Sequence, residues 1–213
     1  MKELLKKNKH VFILSYMFIY FIWFFLLEGR DDVAFKNMHC IVDNYIPFIE
    51  VFVIPYILWF LYIATTVLYM LFTSKEDFLK CCAFLFTGMT ICLIIYTIWP
   101  NGQNLRVTEF PRDNIFTDLV KMFYAADTPT NVCPSIHVYN SIGAHIAIWR
   151  SQKLKKHPVI RYGSLLLCIS ICLSTMFIKQ HSFIDFVCGI ILAAIMYVMV
   201  YRIDYSRSKR QAK

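Results

Sequence analysis

The chain has 213 residues, 58% of them hydrophobic, 17% aromatic and 17% charged, with a formal net charge of +8. An average soluble domain carries about 25% charged residues, so this composition excludes an ordinary water-soluble globule, and the scarcity of Gly and Pro excludes a disordered or collagen-like chain. The positive charge does not point to nucleic acid, because the basic residues flank apolar blocks and form no interleaved basic–aromatic face.

Apolar blocks run over 11–27, 46–72, 81–99, 134–149, 158–178 and 183–201. The first is preceded by Lys2, Lys6, Lys7 and Lys9, and no small-residue cleavage site follows it. It reads as a retained first helix, not a signal peptide. The first three blocks reach the length of about 17–25 residues that spans the hydrocarbon layer. Trp99 sits at an expected membrane interface. The fourth block is interrupted by Ser135, His137, Asn140, Ser141 and His145, and the last two meet at Lys179, His181 and Asp185. A spanning segment must satisfy its own backbone hydrogen bonds, so the blocks predict helices.

Sixteen of the 22 Lys and Arg residues fall on one side of a six-helix alternation and six on the other. The positive-inside rule then places both termini in the cytoplasm. The expected fold is an all-α, polytopic membrane bundle of six transmembrane helices, forming one domain over 1–213. Residues 100–133 form the longest loop, on the outer side, and a loop of that length is often functional. The basic tail and the lysine-rich inner loop suit a face turned to anionic lipid. The 8 cysteines show neither a CxxC pair nor zinc spacing. Cys40 and Cys133 share the outer side, with nothing in their spacing that demands a disulfide.

Ionisable groups inside or beside apolar segments are functional candidates. His181 and Asp185 are four residues apart at the expected outer start of the last helix, where i and i+4 share a face. Asp185 there could orient His181 and leave its Nε2 electron-rich, or the pair could stitch two helices. His137 lies in Pro134-Ser135-Ile136-His137, at the start of the fourth helix. Pro suits a first helical turn, and the free N–H groups of that turn attract anions. Ser135 adds a hydroxyl there, or serves as the helix cap. Arg106, in the long outer loop, has a guanidinium suited to bidentate phosphate binding. Arg112 and Lys179 are further cations, and each could also be a solvated loop charge. His145 reads as an interhelical hydrogen-bonding group. All these candidates except His145 fall on the outer side, and together they suggest phosphoryl chemistry. A non-catalytic bundle, with His137 and His181 as haem ligands, is a separate reading.

The order of Arg106, then Pro-Ser-x-His, then Ser174-x6-His181-x3-Asp185 resembles the type 2 phosphatidic acid phosphatase superfamily. The resemblance covers roughly 99–190. The family's first motif has a Lys where Trp99 stands and a Pro where Val107 stands, and its third has an Arg where Thr175 stands. The resemblance implies a membrane lipid phosphatase acting on a lipid phosphomonoester or pyrophosphate at the extracytoplasmic face of the cell membrane. In it His181 is the nucleophile that forms a phosphohistidine, Asp185 orients it, and His137 is the acid and base. Arg106, Ser135 and Lys179 would bind the phosphate, with Lys179 supplying the charge missing at Thr175. No metal or cofactor is implied, and the partners are the lipid substrate and the membrane. The alternative is a lipid phosphotransferase of the inositol-phosphoceramide or sphingomyelin synthase type, using the same site with a lipid hydroxyl as acceptor.

Overall fold

A computed structural model describes residues 9–30 and 33–203 of the chain. A tight helical turn, Lys9–Ser15, leads into α1, Tyr16–Glu28. The remaining helices are α2 (Val53–Thr73), α3 (Lys75–Ile98), α4 (Ile115–Ala126), α5 (Ile136–Arg150), α6 (Pro158–Phe177) and α7 (Phe183–Tyr197). A wider π turn, Val198–Arg202, continues α7. Two short strands, β1 (Lys36–Asn37) and β2 (Asn101–Gly102), pair in parallel and tie the loop after α1 to the loop after α3.

Five helical segments are long and apolar enough to cross a membrane: His10–Glu28, Glu50–Thr73, Lys75–Ile98, Pro158–Phe177 and Phe183–Arg202. They coincide closely with the apolar blocks of the sequence. The expected fourth crossing differs. α5 has only 15 residues, about 22 Å of helix against roughly 30 Å of hydrocarbon. Its polar residues are compatible with this because α5 is the central helix, packed against α2, α3, α6 and α7. His145 behaves as expected there, with Nδ1 3.0 Å from Ser164 Oγ on α6. The terminal lysines and the basic tail on which the orientation rested lie largely outside the described residues.

The contact between α3 and α5 is set by glycines. Tyr139 of α5 stacks on Phe84 at 5.0 Å, and its hydroxyl donates to the Phe84 carbonyl at 2.5 Å. The ring lies directly over Gly88, where a Cβ would meet Tyr139 Cζ at 1.9 Å. Gly88→Ala should therefore expel the fully buried ring and break its hydrogen bond. We expect a loss of about 3 kcal/mol, measured as a lower thermal midpoint in detergent. An unchanged midpoint would contradict this packing.

The loops around β1 and β2 are ordered by buried polar side chains. Asn101 is fully buried. Its Oδ1 accepts from the N–H groups of Val132 (2.9 Å) and Cys133 (2.8 Å), and its Nδ2 donates to the Cys133 carbonyl (3.1 Å). The Tyr96 hydroxyl donates to the Pro134 carbonyl at 2.5 Å. These bonds fix the chain where it enters α5. The long loop is not structureless, because α4 lies within it. Asn114 caps α4 by accepting from the N–H groups of Phe116 (2.9 Å) and Thr117 (3.1 Å). Phe116, Leu119, Val120, Phe123 and Tyr124 then bury one face of α4 against Val53 and Tyr56 of α2. All cysteines are free thiols, Cys40 and Cys133 included.

Candidate active site

α6 ends at Phe177, and the chain leaves it through a left-handed turn. The Lys179 N–H donates to the Met176 carbonyl (3.0 Å), and the Gln180 N–H to the Thr175 carbonyl (2.9 Å). This is the Schellman pattern of helix termination. Lys179 occupies its left-handed position, with φ 56°, at a cost of order 1 kcal/mol for a residue with a Cβ. The His181 N–H also donates to the Thr175 carbonyl, at 2.9 Å. Ser182 then caps α7. Its Oγ accepts from the Asp185 N–H (3.2 Å), and its own N–H donates to Asp185 Oδ2 (2.8 Å). This reciprocal box starts the helix at Phe183. His181 therefore precedes the helix, contrary to the expectation that it shares a helical face with Asp185. The two side chains still meet, with Nδ1 3.5 Å from Asp185 Oδ2.

α5 delivers the second histidine. Ser135 caps it, with Oγ accepting from the Val138 N–H at 3.4 Å. The Ser135 N–H donates to the Asp185 carbonyl at 3.1 Å, which locks the start of α5 onto α7. His137, in the first turn, has Nδ1 3.2 Å from His181 Nε2. Its ring rests on Tyr56 and Trp59 of α2, at centroid distances of 4.8 and 4.2 Å. His137, His181 and Asp185 thus form one chain of contacts.

Arg106 reaches the same place. Its Nη1 donates to the Tyr124 and Asp127 carbonyls, both at 2.9 Å, and its Nη2 donates to Gln180 Oε1 at 2.7 Å. The guanidinium lies over the Tyr124 ring at 4.8 Å. Burial lowers its pKa, and the Asp127 carboxylate opposes that shift. Asp127 itself is pushed up to about 6, mainly by burial and then by the Glu28 carboxylate.

Lys179 does not join the group. Its ammonium donates to the Asp43 carbonyl (3.1 Å) and the Ile46 carbonyl (2.5 Å), clamping the loop before α2 onto the turn. The left-handed backbone turns the side chain to that loop. Ser135 is occupied as a cap. Arg112 pairs with Glu50 at 3.1 Å and also lies elsewhere. Lys179→Ala should accordingly lower the thermal midpoint while leaving KM within about twofold of wild type. A large rise in KM at an unchanged midpoint would return Lys179 to the phosphate site.

Sequence reasoning missed Gln180, Asp127, Tyr56 and Trp59. Gln180 carried no signal beyond adjacency to His181. Tyr56 and Trp59 look like ordinary apolar helix residues until α2 is packed on α5. Among the described residues no group of three His, Cys, Asp or Glu side chains is placed to hold a metal ion.

Residues 106–209 match the family model of the PAP2 superfamily. Over this stretch the chain belongs to the PAP2 superfamily. The match begins at Arg106 and takes in Pro-Ser-x-His and His-x3-Asp, so every member of the contact chain lies in the PAP2 segment. Trp99 falls outside it. Thr175, in the place of the PAP2 third-motif Arg, is fully buried and donates to the Cys172 carbonyl at 2.8 Å. Comparisons with curated proteins and with solved structures returned no match.

Proposed function

We propose that the protein is a membrane lipid phosphatase that works through a phosphohistidine on His181. The observation that carries this reading is the contact chain His137–His181–Asp185, with gaps of 3.2 and 3.5 Å. His181 Nε2 attacks phosphorus while the ester P–O bond breaks. Asp185, facing Nδ1, keeps the proton on that nitrogen and balances the positive imidazole. His137 protonates the departing lipid oxygen, then takes a proton from the water that cleaves the N–P bond. A phosphoryl group bound between the two imidazoles replaces their direct contact. Arg106 stabilises the charge on the equatorial oxygens. The lysine-poor outer face implied by the charge split is where we place this reaction.

One observation favours a second reading. With Lys179 turned away, Arg106 is the one cation hydrogen-bonded beside His181 among the described residues. A site with so little positive charge suits a singly charged phosphodiester, and with it transfer to a lipid alcohol. The test is incubation of detergent-purified protein with phosphatidate, polyprenyl pyrophosphate and phosphodiester lipids, in chelator, measuring free phosphate and lipid products. Phosphate release supports the phosphatase. A new phospholipid that appears only with added lipid alcohol supports the transferase. Neither product from any lipid would overturn both.

A further inference from the structure

Two buried donors beside His181 have no acceptor among the described residues. One is Arg106 Nε and the other is Gln180 Nε2. They belong to side chains already joined by the 2.7 Å bond from Arg106 Nη2 to Gln180 Oε1. That bond fixes which end of the Gln180 amide is oxygen, so the NH2 end is the unsatisfied one. Gln180 is only 3% exposed, so water does not readily satisfy it. A buried donor without a partner costs about 1–3 kcal/mol. Native folds rarely keep two together unless something else supplies the acceptor.

The backbone around Gln180 is held firmly. Its N–H donates to the Thr175 carbonyl at 2.9 Å, and Gln103 Nε2 donates to the Lys179 carbonyl at 3.1 Å. The Tyr124 hydroxyl donates to the Ile178 carbonyl at 2.7 Å. The amide is thus presented by a rigid turn, one residue from the proposed nucleophile.

We propose that Gln180 is a substrate-phosphate ligand, the second donor of a cradle whose first is Arg106. This rests on the phosphoryl-transfer reading of the site. Gln180 takes over the task that the superfamily's third motif gives to the Arg replaced here by Thr175, and that Lys179 does not perform. The replacement is neutral. A cradle of one guanidinium and one amide, with the Asp127 carboxylate nearby, offers a doubly charged phosphate little advantage over a singly charged one.

Gln180→Glu is the sharp test. Glutamate has the same shape and still accepts from Arg106, so the fold is retained. It replaces the free donor with a second oxygen. Affinity for inorganic phosphate, measured calorimetrically in detergent, should fall at least about tenfold, with a thermal midpoint no lower than wild type. KM for the lipid substrate should rise by a similar factor. A purely structural Gln180 predicts unchanged phosphate affinity in the uncharged Gln180→Met, which removes the donor without adding a carboxylate beside Arg106, and that result overturns the proposal, as does unchanged affinity in Gln180→Glu or a wild-type protein that binds no phosphate. In wild type, dimethyl phosphate should bind about as tightly as methyl phosphate at mildly alkaline pH; a clear preference for the dianion overturns the charge argument. The binding arm needs no turnover. Gln180-dependent phosphate binding without lipid turnover would sink the catalytic reading and keep the ligand, and turnover with normal phosphate binding in Gln180→Glu would do the reverse.

Discussion

His181→Ala should lower kcat by at least about 10⁴-fold, the scale seen when a covalent nucleophile is removed, while the bundle stays folded. His181 is held at the margin of two helices and is not part of their hydrophobic packing. Its N–H bond to the Thr175 carbonyl survives the substitution, and so do the Schellman turn before it and the capping box after it. The lost side chain had His137 on one edge and Asp185 on the other. Both are then left without their central partner, so no neighbour inherits the role. The decisive readout is intermediate trapping. Wild type quenched during turnover of a phosphorus-labelled lipid should carry acid-labile, base-stable label, and His181→Ala should carry none. Label that persists in His181→Ala would end the covalent mechanism at this residue.

Asp185→Asn should lower kcat by about 10³- to 10⁴-fold, because the amide keeps the shape but no longer balances the imidazolium. Asp185 is fully buried, and Oδ1 accepts no hydrogen bond among the described residues. Such a carboxylate is costly to bury, and the cap alone does not require it. The capping box uses only Oδ2, which an asparagine oxygen can replace, so the thermal midpoint should change little. Ser182→Ala separates the two roles. It removes the cap, at about 1 kcal/mol, and should leave kcat close to wild type. Equal losses of kcat in Asp185→Asn and Ser182→Ala would make Asp185 a capping residue alone.

The sequence foretold the C-terminal ends of the long apolar segments to within one residue and their starts to within six, because an unbroken apolar run has few alternatives in a membrane. The fourth block, 134–149, reads as a crossing interrupted by polar residues, and the structure forms a helix there of 15 residues, shorter than the five long apolar segments. α4 was readable and missed. Asn114-x-x-Thr117 is a capping pattern, and Phe116, Leu119, Val120, Phe123 and Tyr124 follow helical spacing. The long polar stretch before it obscured the change of period. The pairing of His137 with His181 followed from motif order and charge topology. The fate of Lys179 did not, because a positive φ at a lysine is a property of how α6 ends, and the acceptors of its ammonium lie more than 130 residues away in sequence. Gln180 acquires its meaning only when Arg106 is brought beside it.

Gly189 of α7 lies so close to α5 that a Cβ would approach the Ser135 carbonyl to 2.9 Å. Together with the Ser135–Asp185 backbone bond, this locks the N-terminal ends of the two helices together, with His137 on one and His181 just before the other. The main chain that carries the two histidines is therefore fixed by backbone contacts, while Tyr56 and Trp59 seat the His137 ring. Arg106, Asp127 and Tyr124 are mounted separately, on the long loop and α4. In the proposed cradle one donor, Arg106, is mounted on that loop apart from the histidines, and the other, Gln180, is mounted on the same turn as His181.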